Sequence, residues 1–342
     1  MGGLLILFPG QGSQYAGMAE YLWEYPVARA TFAEAGEVLG WDIGEVCRHG
    51  SMEELTRTDR TQLTLLTCSV AVWRLLEENG ASFAVAAGHS LGEYSALVAT
   101  GQLAFADALR VVEVRGIGMQ VCSEERPSTM AAIVGLESEV VEELCASLPE
   151  VWPANYNSPG QVVIAGSVES VKAAGELARS RGAKLVVALP VSGAFHTPFM
   201  AGAADSLSRA LGGVVFKAVK AGGGTSGASG GGVTGAEAGG RFFSTTEVRY
   251  PEPEELAEVL ARQLMSPVRF SQSVTALLED EAPPDRGLEV GPGNVLSGLM
   301  KRIARDLPMS STGDAESLQK VLESLPQAGQ GISAKNDRGN ER

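Results

Sequence analysis

Phe83-Ala84-Val85-Ala86-Ala87-Gly88-His89-Ser90-Leu91-Gly92 is the stretch on which the reading of this chain turns. Its first six residues form an apolar run of strand length. A helical pattern starts at about Leu91 and stops at Gly101, a glycine suited to closing a helix in the left-handed conformation. The joint between them, Gly88-His89-Ser90-Leu91-Gly92, has the G-x-S-x-G form. Glycines at both ends permit a sharp, strained strand-to-helix turn that lifts the serine Oγ to the start of a helix. The helix N-terminus adds N–H groups and partial positive charge, both favourable to an oxyanion. A serine there can also act only as an N-cap, so the pattern alone leaves two roles open. A second match, Gly227-Ala228-Ser229-Gly230-Gly231, has no strand before it and no helix after it. Context therefore selects Ser90.

Working outward, residues 3–8 read as a buried strand that ends in the loop Pro9-Gly10-Gln11-Gly12-Ser13-Gln14. The loop lacks the spacing and lysine of a phosphate cradle and the third glycine of G-x-G-x-x-G. Its better use is a backbone N–H aimed at the nucleophile from a neighbouring strand end. Helical patterns follow at about 16–24, 26–39, 51–56, 62–78 and 105–121. Residues 128–191 then show a distinct rhythm. Thr129–Leu136 is strand-like, Ser138 N-caps a helix to about Leu148, and Val151–Asn155 and Gln161–Ala165 are strands. Val168–Arg181 is a helix closed by Gly182, and Lys184–Leu189 is a last strand. The order βαββαβ is that of a ferredoxin-like unit. Helices are expected at Pro198–Ala210, Glu254–Met265, Ser271–Glu279 and Val295–Arg305, with strands at Phe242–Thr245 and Gly287–Val290. Between 222 and 240 glycine takes 10 of 19 positions, which reads as a flexible loop. Residues 327–342 read as a disordered tail. The division expected is a discontinuous α/β core of 1–127 and 192–326 carrying a small subdomain at 128–191.

Composition narrows the function. With 27 Lys plus Arg against 41 Asp plus Glu, the net charge of −14 opposes general nucleic-acid binding. A polybasic membrane face is equally disfavoured, and no apolar run is long enough to span a bilayer. The first nine residues lack a basic region and cleavage site, so no secretory signal is expected. Cys47, Cys68, Cys122 and Cys145 have no metal-binding spacing. Neither a zinc site nor a disulfide framework is expected, and a reducing compartment fits.

If Ser90 is a nucleophile it needs a base, and there are three histidines: His49, His89 and His196. His89 adjoins the serine on a turn from which neighbouring side chains diverge, and His49 lies in a polar loop. His196, in Gly193-Ala194-Phe195-His196-Thr197, follows a strand and precedes a helix, and is best placed. No acidic residue near it recommends itself as an orienting partner; Asp205 is the nearest after it. Arg115 sits amid Ala108, Leu109, Val111, Val112 and Val114. A charge in apolar surroundings needs a partner. That partner is either a protein carboxylate or a substrate carboxylate held by the guanidinium fork.

Together these motifs resemble the malonyl-CoA:acyl carrier protein transacylase family of fatty acid synthesis, over about Leu4 to Leu322. The resemblance rests on Phe8-Pro9-Gly10-Gln11-Gly12-Ser13-Gln14, Gly88–Tyr94, Glu113-Val114-Arg115-Gly116 and Asn155–Gln161. It continues through Gly193–Thr197, Arg262-Gln263-Leu264 with Pro267-Val268, and Glu289–Gly293, in matching order and spacing. It implies an α/β-hydrolase-like core with an inserted ferredoxin-like subdomain. It implies that Ser90 takes malonyl from coenzyme A as an ester and passes it to the phosphopantetheine thiol of acyl carrier protein. His196 would be base and acid, oriented by a main-chain carbonyl near Gln263. The N–H groups of Gln11 and Leu91 would form the oxyanion hole. Arg115 would bind the malonyl carboxylate, with Phe195, Gln263 and Asn157 also lining the substrate. Phe195 resembles the form that disfavours a 2-methyl branch. No metal or resident cofactor is implied, and a soluble monomer in a bacterial cytoplasm or an organelle interior is expected. Leu63, Asn294 and Ser244-Thr245-Thr246-Glu247 depart from the usual pattern.

Two other readings compete: a serine hydrolase or thioesterase on the same elbow, and a non-catalytic protein that docks a carrier. Arg115 argues against a simple esterase, and Ser90, His196 and Arg115 together argue against mere docking. Acyl carrier protein is itself acidic, so encounter needs a local basic patch. Lys301, Arg302 and Arg305 on one helix, or Arg179, Arg181 and Lys184, could supply it.

Overall fold

The fold is described by a computed structural model covering residues 3–191, 193–219 and 240–325. The glycine-rich stretch called a loop above, its second G-x-S-x-G match and the expected tail fall outside those residues, apart from Gly240.

Leu4–Phe8 forms β1 and Val85–Gly88 forms β2, paired in parallel with Phe8 opposite Gly88. Leu5, Ile6, Leu7 and Phe8 are all fully buried. Ile6 and Phe8 face one core cluster, whereas Leu5 and Leu7 face another. A strand covered on both faces needs no polar alternation, which explains the unbroken apolar run.

Ser128–Val134 (β3), Val151–Ser158 (β4), Gln161–Ser167 (β5) and Leu185–Ala188 (β6) build a separate sheet. Its order is β4-β5-β3-β6 and all its pairs are antiparallel. The helices Ser138–Ala146 and Val168–Ser180 cover one face through Val141, Leu144, Val171, Ala174 and Ala178. Met130, Ala132, Ala154, Val163 and Ala165 on the opposite face join the main core. Arg241–Phe243 (β7), Arg286–Glu289 (β8) and Met309–Ser311 (β9) complete the first sheet. That sheet runs β7-β2-β1-β8-β9, parallel throughout.

Several expectations need correction. Glu137, not Ser138, is the N-cap of the helix that begins at Ser138, and it makes no side-chain cap bond. Residues 16–24 form turns and a short 3-10 helix, Glu20–Glu24, rather than a helix throughout. His49 ends the helix Ile43–His49, which Asp42 caps by accepting from the Glu45 N–H at 2.9 Å. Arg305 lies beyond the helix Val295–Ile303 that carries Lys301 and Arg302. The strand β9 and the helix Ala315–Ser324 were not anticipated.

Candidate active site

The loops after β1 and β2 leave adjacent parallel strands at the same carboxyl edge. They approach so closely that the His89 N–H donates to the Phe8 carbonyl at 3.0 Å. A Cβ on Gly10 would stand 2.4 Å from the His89 carbonyl oxygen. Gly88 and Gly92 bring the strand end against the helix Gly92–Ala99. A Cβ on Gly88 would lie 2.0 Å from the Gly92 carbonyl carbon, and one on Gly92 would lie 2.1 Å from the Phe8 carbonyl oxygen. Ser90, between them, has φ +52°. A non-glycine residue held there stores backbone strain, as functional turns often do.

Ser90 Oγ lies 2.8 Å from His196 Nε2. The His196 ring comes from the segment between β6 and the helix Ala201–Leu211, and its residue also has positive φ, +62°. Thr197 steadies that segment by donating to the Ala194 carbonyl at 2.6 Å and accepting from the Phe199 N–H at 3.3 Å. His196 Nδ1 faces two main-chain carbonyls, Gln263 at 2.9 Å and Ser266 at 3.1 Å. Carbonyls only accept, so the proton sits on Nδ1 and the Nε2 lone pair faces the serine. No carboxylate orients the ring.

Burial and the nearby Arg115 charge push the His196 imidazole down to about 3 from its ordinary 6.5. The ring is therefore neutral, the form a base requires, from mildly acid pH upward. We expect kcat/KM to stay level as pH falls from 8 to 5. A loss of activity with its midpoint near 6.5 in a pH–rate profile would contradict this account.

Arg115 comes from the long helix Phe105–Glu125 and is 1 % exposed. The neighbouring Gly116 allows this helix to cross the helix Thr58–Glu78 closely, since a Cβ there would lie 3.1 Å from Asp59 Cα. That crossing brings in Gln62, whose Oε1 accepts from Arg115 Nη1. Arg115 Nη2 donates to Ser90 Oγ at 3.0 Å and to Gln263 Oε1 at 3.0 Å. Its Nε has no partner among the described residues. All its partners are neutral, so the buried guanidinium faces no carboxylate directly. The protein ion pair considered from the sequence is absent among the described residues. A buried cation ringed by neutral acceptors, with donors to spare, is suited to an anionic ligand.

His89 points away from Ser90. Its Nε2 lies 2.9 Å from Asn157 Oδ1 and its ring stacks at a tilt on Phe270, with centroids 5.8 Å apart. Asn157 is thereby tied to the elbow through one amide oxygen. The Phe195 ring folds over Gly193, where a Cβ would lie 2.6 Å from Cε1. His49 is half-exposed beside Glu20 and Glu45.

Sequence reasoning missed two side chains here. Gln62 and Glu93 are fully buried. Glu93 Oε1 accepts from the Thr245 N–H at 2.6 Å, the Ser244 hydroxyl at 3.1 Å and the Thr246 N–H at 3.3 Å. Its Oε2 accepts from Gln263 Nε2 at 2.6 Å. The available signal was a single charge in the otherwise uncharged, largely apolar helix Gly92–Ala99.

Known proteins share this arrangement of elements. Residues 6–326 match the acyl transferase domain family. The malonyl CoA-acyl carrier protein transacylase of Salmonella typhimurium is 40 % identical over 323 residues, covering 93 % of this chain and 98 % of that protein. The chain belongs to the malonyl-CoA:acyl carrier protein transacylase family. The Bacillus subtilis member of that name is 37 % identical over 330 residues, covering 95 % of this chain and 98 % of its own. Among solved structures, the Coxiella burnetii transacylase superposes with a TM-score of 0.85 at 33 % identity, covering 95 % of this chain and 98 % of that one. A malonyl-transacylase in complex with its type II PKS acyl-carrier protein superposes with a TM-score of 0.84 at 39 % identity, covering 94 % and 99 %. The mixed α/β architecture of the family is therefore also that of this chain. Among the described residues, no helix is long and apolar enough to cross a membrane.

Proposed function

We propose that this protein transfers the malonyl group of malonyl-CoA to the phosphopantetheine thiol of acyl carrier protein, supplying extender units for fatty acid synthesis. The observation that carries the reading is the buried Arg115 guanidinium 3.0 Å from the Ser90 Oγ that His196 also engages. Ser90 Oγ attacks the thioester carbonyl carbon while His196 Nε2 takes its proton. The N–H groups of Gln11 and Leu91 receive the oxyanion, a role supported by the close approach of the Gly10 and His89 backbones. Collapse breaks the C–S bond, and His196 returns the proton to the departing coenzyme A sulfur. The malonyl-Ser90 ester is then attacked by the carrier thiol through the same steps in the opposite sense.

Arg115 pairs with the free malonyl carboxylate. Its positive charge disfavours an imidazolium at His196, so a substrate carboxylate on the guanidinium also raises the basicity of His196 as chemistry begins. Phe195, Asn157 and the Gln263 side chain line the acyl site. The strand orders described above support an α/β-hydrolase-like core of 1–127 and 192–326, with a ferredoxin-like subdomain at 128–191.

The test is intact-protein mass spectrometry after mixing with malonyl-CoA or acetyl-CoA. Malonyl labelling is expected to exceed acetyl labelling, and Arg115→Ala is expected to lower that preference by about 100-fold, the scale of a lost charge-assisted fork. Retention of the wild-type preference in Arg115→Ala would remove the carboxylate from this arginine.

A further inference from the structure

Gln263 meets Arg115, Ser90, Glu93 and His196. Its Oε1 accepts from Arg115, its Nε2 donates to the Ser90 carbonyl at 3.1 Å and to Glu93 Oε2, and its own carbonyl accepts from His196 Nδ1. A primary amide can lie either way round, with oxygen and nitrogen exchanged. Only one way serves this site: the oxygen must meet the guanidinium, which is donor-only.

We propose that Glu93 is a positioning residue for acyl transfer, fixing the orientation of the Gln263 amide and through it the Arg115 guanidinium. The inference rests on the reading of Arg115 as the carboxylate fork. Both Glu93 oxygens accept from N–H groups. Oε1 is held by the Thr245 and Thr246 amides and Oε2 takes Gln263. A group that accepts at both ends admits only the NH2 of Gln263, so the Gln263 oxygen is turned to Arg115. The Thr245 hydroxyl, 2.8 Å from the Gly88 carbonyl and 3.1 Å from Glu93 Oε1, ties the same carboxylate to the end of β2. The accepting oxygens of Glu93 thus act on the fork through one amide, without a direct ion pair. This also gives a reason for a fully buried glutamate beside the nucleophile that none of the chemical steps uses.

Glu93→Gln separates this role from packing. The variant keeps the shape, but the donors at Thr245 and Thr246 hold its oxygen, so its NH2 faces the NH2 of Gln263. Gln263 must turn round and present donors to Arg115. The malonyl-over-acetyl labelling ratio is expected to fall by about tenfold or more, the loss of a charge-assisted hydrogen bond. Acetyl labelling should change less. Gln263→Met removes the relay while keeping the main-chain carbonyl on His196, and the same fall in ratio is expected. Thr245→Val, which loosens Glu93 without reversing the amide, should leave the ratio within twofold of wild type. Ratios unchanged in Glu93→Gln and Gln263→Met, with Arg115→Ala still losing its preference, would overturn the positioning role alone. An unchanged ratio in Arg115→Ala would instead overturn the reading of Arg115 on which it rests.

Discussion

His196→Ala is expected to slow formation of the acyl-serine by about 10²–10⁴-fold, the usual contribution of a positioned general base. The reason is geometric as well as chemical. The imidazole stands 2.8 Å from Ser90 Oγ and its far nitrogen is held by two carbonyls, so no rotation is needed before proton transfer. Single-turnover labelling by malonyl-CoA measures the step directly. KM-type binding of malonyl-CoA should change little, because the carboxylate fork does not include the histidine. A loss of less than tenfold would show that another group takes the Ser90 proton.

The second large effect is on stability. Gly88→Ala places a Cβ 2.0 Å from the Gly92 carbonyl carbon, 2.2 Å from its oxygen and 2.3 Å from the Glu93 nitrogen. All three are backbone atoms, so strand and helix must separate. Overpacking of this kind costs about 3 kcal/mol, at the upper end of the common range. The movement also displaces Ser90, so acylation should fall together with the unfolding midpoint. Gly298→Ala provides the contrast. Gly298 lies in the helix Val295–Ile303, and an added Cβ there meets nothing within 4 Å. That substitution should stabilise by up to about 1 kcal/mol through helix propensity. Urea unfolding of both variants checks the opposite signs; similar behaviour would contradict the close-packed elbow.

Much of this architecture can be read before any coordinate. The run Leu4–Phe8 and the strand-to-helix joint at Ser90 stand out because strands buried on both faces carry unbroken apolar residues. The rhythm from 128 to 191 is also legible, since each of its helices has one apolar face. What stays hidden depends on residues far apart in the chain. Gln62 and Glu93 look like ordinary polar positions until the crossing of the helices Thr58–Glu78 and Phe105–Glu125 closes on the first and the loop after β7 on the second. The group that orients His196 is a main-chain carbonyl, which leaves no side-chain signature; only the family resemblance points to it. β9 leaves no signal in the sequence because it is three residues long and joins an existing sheet edge. His49 misled in the other direction: its polar neighbours suggested a loop, although Asp42 supplies an N-cap about two turns earlier.

Transfer requires that the malonyl ester on Ser90 wait for a thiol rather than react with water. The most direct measurement isolates the malonyl-labelled protein and follows the label by intact mass after adding holo acyl carrier protein, with a parallel sample in buffer alone. The label is expected to persist in buffer and to move stoichiometrically to the carrier, and Ser90→Ala is expected never to acquire it. Rapid release of free malonate in buffer, or a label that the carrier fails to remove, would contradict transfer and favour a hydrolase on the same elbow.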